Sequence, residues 1–178
     1  MFKNYLFRVT LGLLLLIPFV SISAQDRFAK VEIKTEKLTD NIYVLFGAGG
    51  NIGVLVGEDG VIMIDDQFAP LSEKMSAAIA KVSNEPVKYL LNIHWHGDHS
   101  GGNENFAKQG ATILAQQNVR KRMAEGLIRS PERVTPPAPA IALPVITFSD
   151  EMSLHLNGED SLAIHVHNAH TDGDAQIF

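Results

Sequence analysis

The chain contains no cysteine in 178 residues. Disulfide cross-links are therefore excluded, and no thiolate within this sequence can hold a metal. A basic excess is also missing, since 15 Lys and Arg stand against 20 Asp and Glu for a net charge of -5 at pH 7. Such a balance has nothing to attract nucleic acid. The one concentrated basic run, Arg120-Lys121-Arg122, falls on a helix-like segment and reads as a solvated face. No apolar run approaches the roughly 20 residues of a comfortable membrane span, the longest being 11–20. The glycine cluster Gly47-Ala48-Gly49-Gly50 lacks the spacing of a dinucleotide fingerprint and leads into a strand rather than a helix. No long internal repeat is present.

The first residues carry an export pattern. Lys3 and Arg8 precede the apolar stretch Leu11 to Val20, and Ser21-Ile22-Ser23-Ala24 supplies a small-residue exit. The reading is a secretory signal peptide over 1–24, cleaved after Ala24, with an uncleaved N-terminal anchor as the alternative. Removing it leaves 154 of the 178 residues as one domain, 25–178, and takes two basic residues with it, so the net charge falls from -5 to -7. The expected location is periplasmic or extracellular.

Apolar alternation predicts strands at 31–37, 42–46, 52–56 and 61–64, separated by the turn signals Asp40-Asn41, Gly47 to Asn51 and Asp59-Gly60. Ser72 is placed to cap a helix running to about Val82, with Met75, Ala78, Ile79 and Val82 on one stripe. A strand over 87–93, a short helix over 103–108, a strand over 112–115 and a helix over 116–125 follow. Five prolines between Gly126 and Pro144 predict a connector without regular structure. Strands resume at 145–148, 152–156 and 161–167, the last two joined by an Asn157-Gly158 hairpin turn. Alternating strands and helices make this an α/β fold.

His94-Trp95-His96-Gly97-Asp98-His99 carries four metal-binding side chains directly after the 87–93 strand. Residues two apart on extended backbone point the same way, so His94 and His96 can grip one ion, while Asp98 and His99 can face a second beside it. A later turn, Asn168 to Asp174, offers His170 as a third ligand to the first ion. His165 and His167 compete for that role, and His155 reads as a packed or surface residue. Three protein ligands leave a fourth tetrahedral position for water, the catalytic arrangement of zinc.

HWHGDH at 94–99 resembles the His-x-His-x-Asp-His signature of the metallo-β-lactamase superfamily, and AHTDGD at 169–174 resembles its later histidine motif. Asp65, after the apolar strand 61–64, stands where that family places an acidic residue near the metals. The resemblance covers the chain after about residue 30 and implies a metallo-β-lactamase-like αββα sandwich. By the same resemblance His94, His96 and His170 bind the first zinc, and Asp98 and His99 contribute to a second. Asp98 is the expected catalytic residue, orienting a metal-activated hydroxide.

Two further family motifs, an acidic or cysteine ligand and a final histidine, are expected after Phe178. The sequence is accordingly read as the N-terminal part of a longer protein, with much of the second half of the sandwich missing. The implied function is a secreted zinc-dependent hydrolase of amide or ester bonds in a small-molecule substrate, β-lactams and lactones included. Alternatives are a thioester hydrolase, an iron-dependent oxidoreductase of the same fold, or a non-catalytic metal-binding protein of the envelope. Gly47 to Gly50 is either a flexible flap over the metals or a plain hairpin turn.

Overall fold

Four short runs pair in sequence order as an antiparallel meander, β1 (Lys34–Lys37), β2 (Ile42–Phe46), β3 (Ile52–Leu55) and β4 (Val61–Ile64), in which β2 to β4 supply apolar residues to the core and β1 is a polar edge strand. The computed structural model describes residues 27–131 and 133–178, so the expected signal segment lies outside the described residues. From β4 the sheet continues in parallel through β5 (Val87–Asn92), β6 (Thr112–Gln116) and β9 (Ile146–Phe148), giving seven strands in the order β1-β2-β3-β4-β5-β6-β9. Parallel strands covered on both faces need near-continuous apolar sequence. Val61, Ile62 and Met63 of β4 and Leu90 and Leu91 of β5 are buried accordingly.

Helix α1 (Ser72–Ile79) connects β4 to β5; after β5 come α2 (Gly97–Ser100) and α3 (Asn103–Lys108), and α4 (Gln117–Glu125) follows β6. Val54, Met63, Leu90 and Ile113 form one apolar cluster with Met75, Ala78 and Ile79 of α1 and Phe106 of α3. The opposite face joins Leu91, Leu114 and Phe148 to Ala163, Ala175, Met152 and Leu154 of a second sheet. Leu90 and Leu91 enter different clusters because successive side chains leave opposite faces of a strand. Burying a side chain such as Phe106 stabilises the fold by roughly 1.5–3 kcal/mol.

The second sheet is antiparallel, with β10 (Glu151–Leu156), β11 (Glu159–His165) and β12 (Ala175–Ile177) in order. Its hairpin turn is as expected: Asn157 and Gly158 have φ of 55° and 78°. Several hydrogen bonds fasten it to the first sheet. Asn157 N donates to Asp59 Oδ2 at 2.7 Å while Asp59 N donates to Asn157 Oδ1 at 2.9 Å, and Ala175 N donates to Ile93 O at 3.0 Å beside the histidine loop. Helix layer, large sheet and small sheet together form an α/β sandwich.

Several local expectations need correction. Ser72 does not cap α1: a 3-10 turn, Ala69–Leu71 with Pro70 in its first turn, enters the helix, and Ser72 is already helical. Its hydroxyl instead accepts from Asn105 Nδ2 at 3.0 Å. The helix ends at Ile79, not near Val82. The proline-rich connector contains a two-stranded hairpin, β7 (Leu127–Ser130) with β8 (Arg133–Thr135), and a 3-10 turn over Ala140–Ala142. Prolines exclude helix and central strand but leave an isolated hairpin free to form where they flank it. The basic run is not simply solvated, because Arg120 donates to Pro144 O and Arg122 pairs with Asp172.

Candidate metal centre

The backbone beyond β5 leaves the sheet extended, with His96 at φ -71° and ψ 155°, and then turns into α2. This holds His94 and His96 side by side, as spacing by two on extended chain requires. The loop is fixed from behind: its His99 carbonyl accepts from Asp66 N at 2.8 Å and Asn92 Nδ2 at 3.4 Å. The second sheet brings in the other ligand-bearing turn, between β11 and β12. There His170 reaches the pair, and one ligand nitrogen from each of His94, His96 and His170 lies within 4.8 Å of the others.

His94 is 5 % exposed, and its Nδ1 lies 2.7 Å from Asp174 Oδ1. That partner places the proton on Nδ1 and leaves the Nε2 lone pair, which faces His96 Nδ1 at 2.5 Å. Burial acts to raise the Asp174 pKa, but hydrogen bonds from Thr171 Oγ1, His94 and Thr171 N outweigh it and bring it to about 2. Asp174 therefore stays ionised as the orienting carboxylate. A second carboxylate does the same for His99. Asp65, 2 % exposed and in the left-handed region at φ 62°, receives Ile93 N on Oδ1 and His99 Nδ1 on Oδ2, at 2.9 and 2.7 Å. Its pKa is raised by burial with His99 opposing, while the His99 pKa is raised chiefly by the bond to Asp65. His99 Nε2 is left facing Asp98 Oδ2 at 3.7 Å.

Three imidazole nitrogens with one orienting carboxylate, next to a carboxylate and a fourth imidazole, fit a tetrahedral zinc site with a neighbouring second position. His94, His96 and His170 could hold the first ion, and Asp98 and His99 a second. The competing histidines do not join them. Strand β11 ends at His165, whose Nε2 donates to Asp172 O at 3.1 Å, and His167 leans on His165 with the rings tilted by 54° and their centroids 4.2 Å apart. His155 is an exposed partner of Asp160.

Residues not singled out by sequence reasoning complete the frame. Asp66 is fully buried, accepts Gly102 N at 2.7 Å on Oδ1, and has no partner on Oδ2. Burial pushes its pKa well above the ordinary value, against the Gly102 bond and helped by Asp65. Gln67, also buried with φ 58°, accepts Ala48 N at 3.1 Å and donates to Gly50 O. It thereby fastens the β2–β3 tip to the site. A Cβ on Gly49 would stand 3.2 Å from Asp98 Cβ, and one on Gly50 would stand 3.5 Å from His99 Cε1. The glycine tip thus lies directly against the Asp98–His99 side. An acidic doublet after a buried strand was the only sequence signal for Asp66.

The sequence profile of the metallo-beta-lactamase superfamily matches residues 45–178. The chain belongs to the metallo-beta-lactamase superfamily. Among solved structures, a metallo-beta-lactamase of Cronobacter sakazakii with a HARLDQ motif aligns at a TM-score of 0.71 and 19% identity, covering 87% of this chain and 60% of that one. A metallo-beta-lactamase of Novosphingobium pentaromativorans aligns at 0.67 and 22%, covering 80% and 54%. These likenesses establish the metallo-beta-lactamase-like fold. A curated relative from Erythrobacter litoralis, hydroxyacylglutathione hydrolase, is 40% identical over 43 residues, which are 24% of this chain and 17% of that protein. The chain spans about three fifths of the solved superfamily structure given first and under a fifth of the curated relative.

Proposed function

We propose that the protein is an exported zinc-dependent hydrolase that cleaves amide or ester bonds, cyclic ones such as β-lactams and lactones included. The observation that carries this reading is the convergence of His94, His96 and His170 from two distant segments. These three histidines would hold a zinc ion, which would supply a nucleophile at neutral pH by lowering the pKa of water from near 16 to about 7. The chain's own part is preorganisation. Asp174 fixes the tautomer of His94, Asp65 fixes that of His99, and the backbone behind the loop holds both in place. Asp98 presents its carboxylate beside His99 Nε2, where it can help hold a second ion and accept a hydrogen bond from the attacking water.

Export is supported by the basic, apolar and small-residue order of 1–24. In the described residues no helix is long and apolar enough to cross a membrane. N-terminal sequencing of the exported protein should begin after Ala24; an intact Met1 would sink cleavage.

The relative named hydroxyacylglutathione hydrolase favours a second reading in which the bond cleaved is a thioester. Metal analysis, a panel of ester, amide, lactam and thioester substrates, and oxygen uptake decide among these. Zinc with hydrolysis abolished by Asp98→Ala supports the proposal. Iron with oxygen consumption favours an oxidoreductase, and bound metal with no turnover across the panel favours a metal-binding protein of the envelope.

A further inference from the structure

A cavity of about 390 Å³ opens beside Trp95 and His96, against the β7–β8 hairpin and the proline-rich stretch after it. Its walls are mainly apolar, formed by Trp95, Met123, Leu127, Pro136, Pro139 and Ala142. A second, more open cavity of about 520 Å³ lies over His170 and Thr171. The two share Trp95, His96, Arg122 and Leu127, so the chamber and the open mouth meet at a candidate zinc ligand.

The charged side chains Glu104 and Arg122 and the Ser100 hydroxyl around the chamber are already engaged within the chain. Glu104 pairs with Lys108 at 2.6 Å, Arg122 with Asp172 at 2.8 Å, and Ser100 Oγ donates to the carbonyls of Trp95 and His96. The Trp95 indole N–H is buried without a partner. A space of this size with apolar walls and no free charge selects an uncharged apolar group. We propose that this chamber takes the uncharged alkyl or aryl group of a molecule whose reacting end lies at His96 and His170. The proposal rests on the hydrolase reading for that reacting end, and it makes the side of the substrate that passes Trp95 a phenyl-sized apolar group rather than a charged one.

The protein's single tryptophan lines the chamber, so its emission reports occupancy without any turnover. The probe is 4-phenyl-1-butanol, titrated into the whole protein both zinc-loaded and chelator-stripped, with 1,4-butanediol as the polar control. Two substitutions fill the chamber without touching the histidines: Ala138→Phe, which keeps the backbone bond from Ala138 N to Met123 O, and Thr135→Phe on the exposed hairpin. The expected result is a saturable change in Trp95 emission with the phenyl probe and none with the diol. Each substitution should weaken the probe at least tenfold while circular dichroism and Tm stay unchanged; if one variant misfolds, the other decides.

No saturable change in the wild type, or undiminished affinity in a folded filled variant, overturns the chamber. Failure of the hydrolase reading looks different: the probe binds and the fillers weaken it, yet the zinc-loaded protein cleaves nothing. The reverse pattern, cleavage of an acetyl ester with no probe binding, removes the chamber alone.

Discussion

The loop carrying His94 and His96 is tied to buried partners, whereas the turn carrying His170 is held in large part by half-exposed ones. Behind the first, the His99 carbonyl and Ile93 N are tied to Asp66, Asn92 and Asp65, all buried. Around the second, Asp172 is gripped by the half-exposed Arg122 and by Asn118 Nδ2, and Asp174 by Thr171 and His94. His170 itself is exposed. Half of the candidate site is therefore preorganised by the sheet core, while the other half depends in part on contacts that solvent and salt can reach.

Removing His94 should have the largest effect, because it deletes a candidate ligand and the partner of Asp174 together. His94→Ala should lose one zinc per chain by metal analysis and with it all measurable hydrolysis; retention of both would break the assignment of the buried half. Next comes Asp174→Ala, which should weaken zinc about 10–100-fold in a competing-chelator titration, the usual cost of losing an orienting carboxylate. An affinity equal to wild type would mean that the turn is held without it. Arg122→Ala should cost only a few-fold in zinc affinity at low salt, and raising the salt should bring the wild type down toward the variant. A salt-independent, tenfold loss would show that the clamp is worth more than an exposed ion pair.

The glycine tip gives the smallest contrast. Gly49 has φ +97°, and a Cβ there would crowd Asp98 and Phe68, so Gly49→Ala should raise KM several-fold. Gly50→Ala adds only ordinary contact with His99 and should stay near wild type. Equal effects at both positions would show that neither the strain nor the crowding particular to Gly49 governs the tip.

Sequence reading reached the elements whose signal is local. Alternating apolar residues marked the strands of the two larger sheets from 42 onward but not the hairpin of 127–135, the spacing within 94–99 marked the first pair of histidines, and Asn157-Gly158 marked its hairpin turn. It misplaced features set by neighbours far along the chain. Ser72 has the chemistry of a helix cap, but Pro70 starts a 3-10 turn ahead of it and Asn105 takes its hydroxyl. Arg122 has the look of a solvated cation until the 168–174 turn arrives beside it. Asp66 and Gln67 follow a strand as turn residues would, and only the approach of Gly102, Ala48 and Gly50 makes them buried supports of the site.

The amino-acid order alone determined the superfamily resemblance, the α/β alternation and the paired histidines at 94 and 96, because each depends on spacings of a few residues. The motif at 169–174 favoured His170 over His165 and His167, but that it reaches the pair depends on the packing of the two sheets. Strand β11 ends at His165 and spends that side chain on Asp172, while β12 docks Ala175 onto Ile93 and thereby carries the intervening turn, with His170, to the first histidines. Local periodicity sets the direction of a side chain along its own strand, but the meeting of two turns depends on every contact that holds the sheets together.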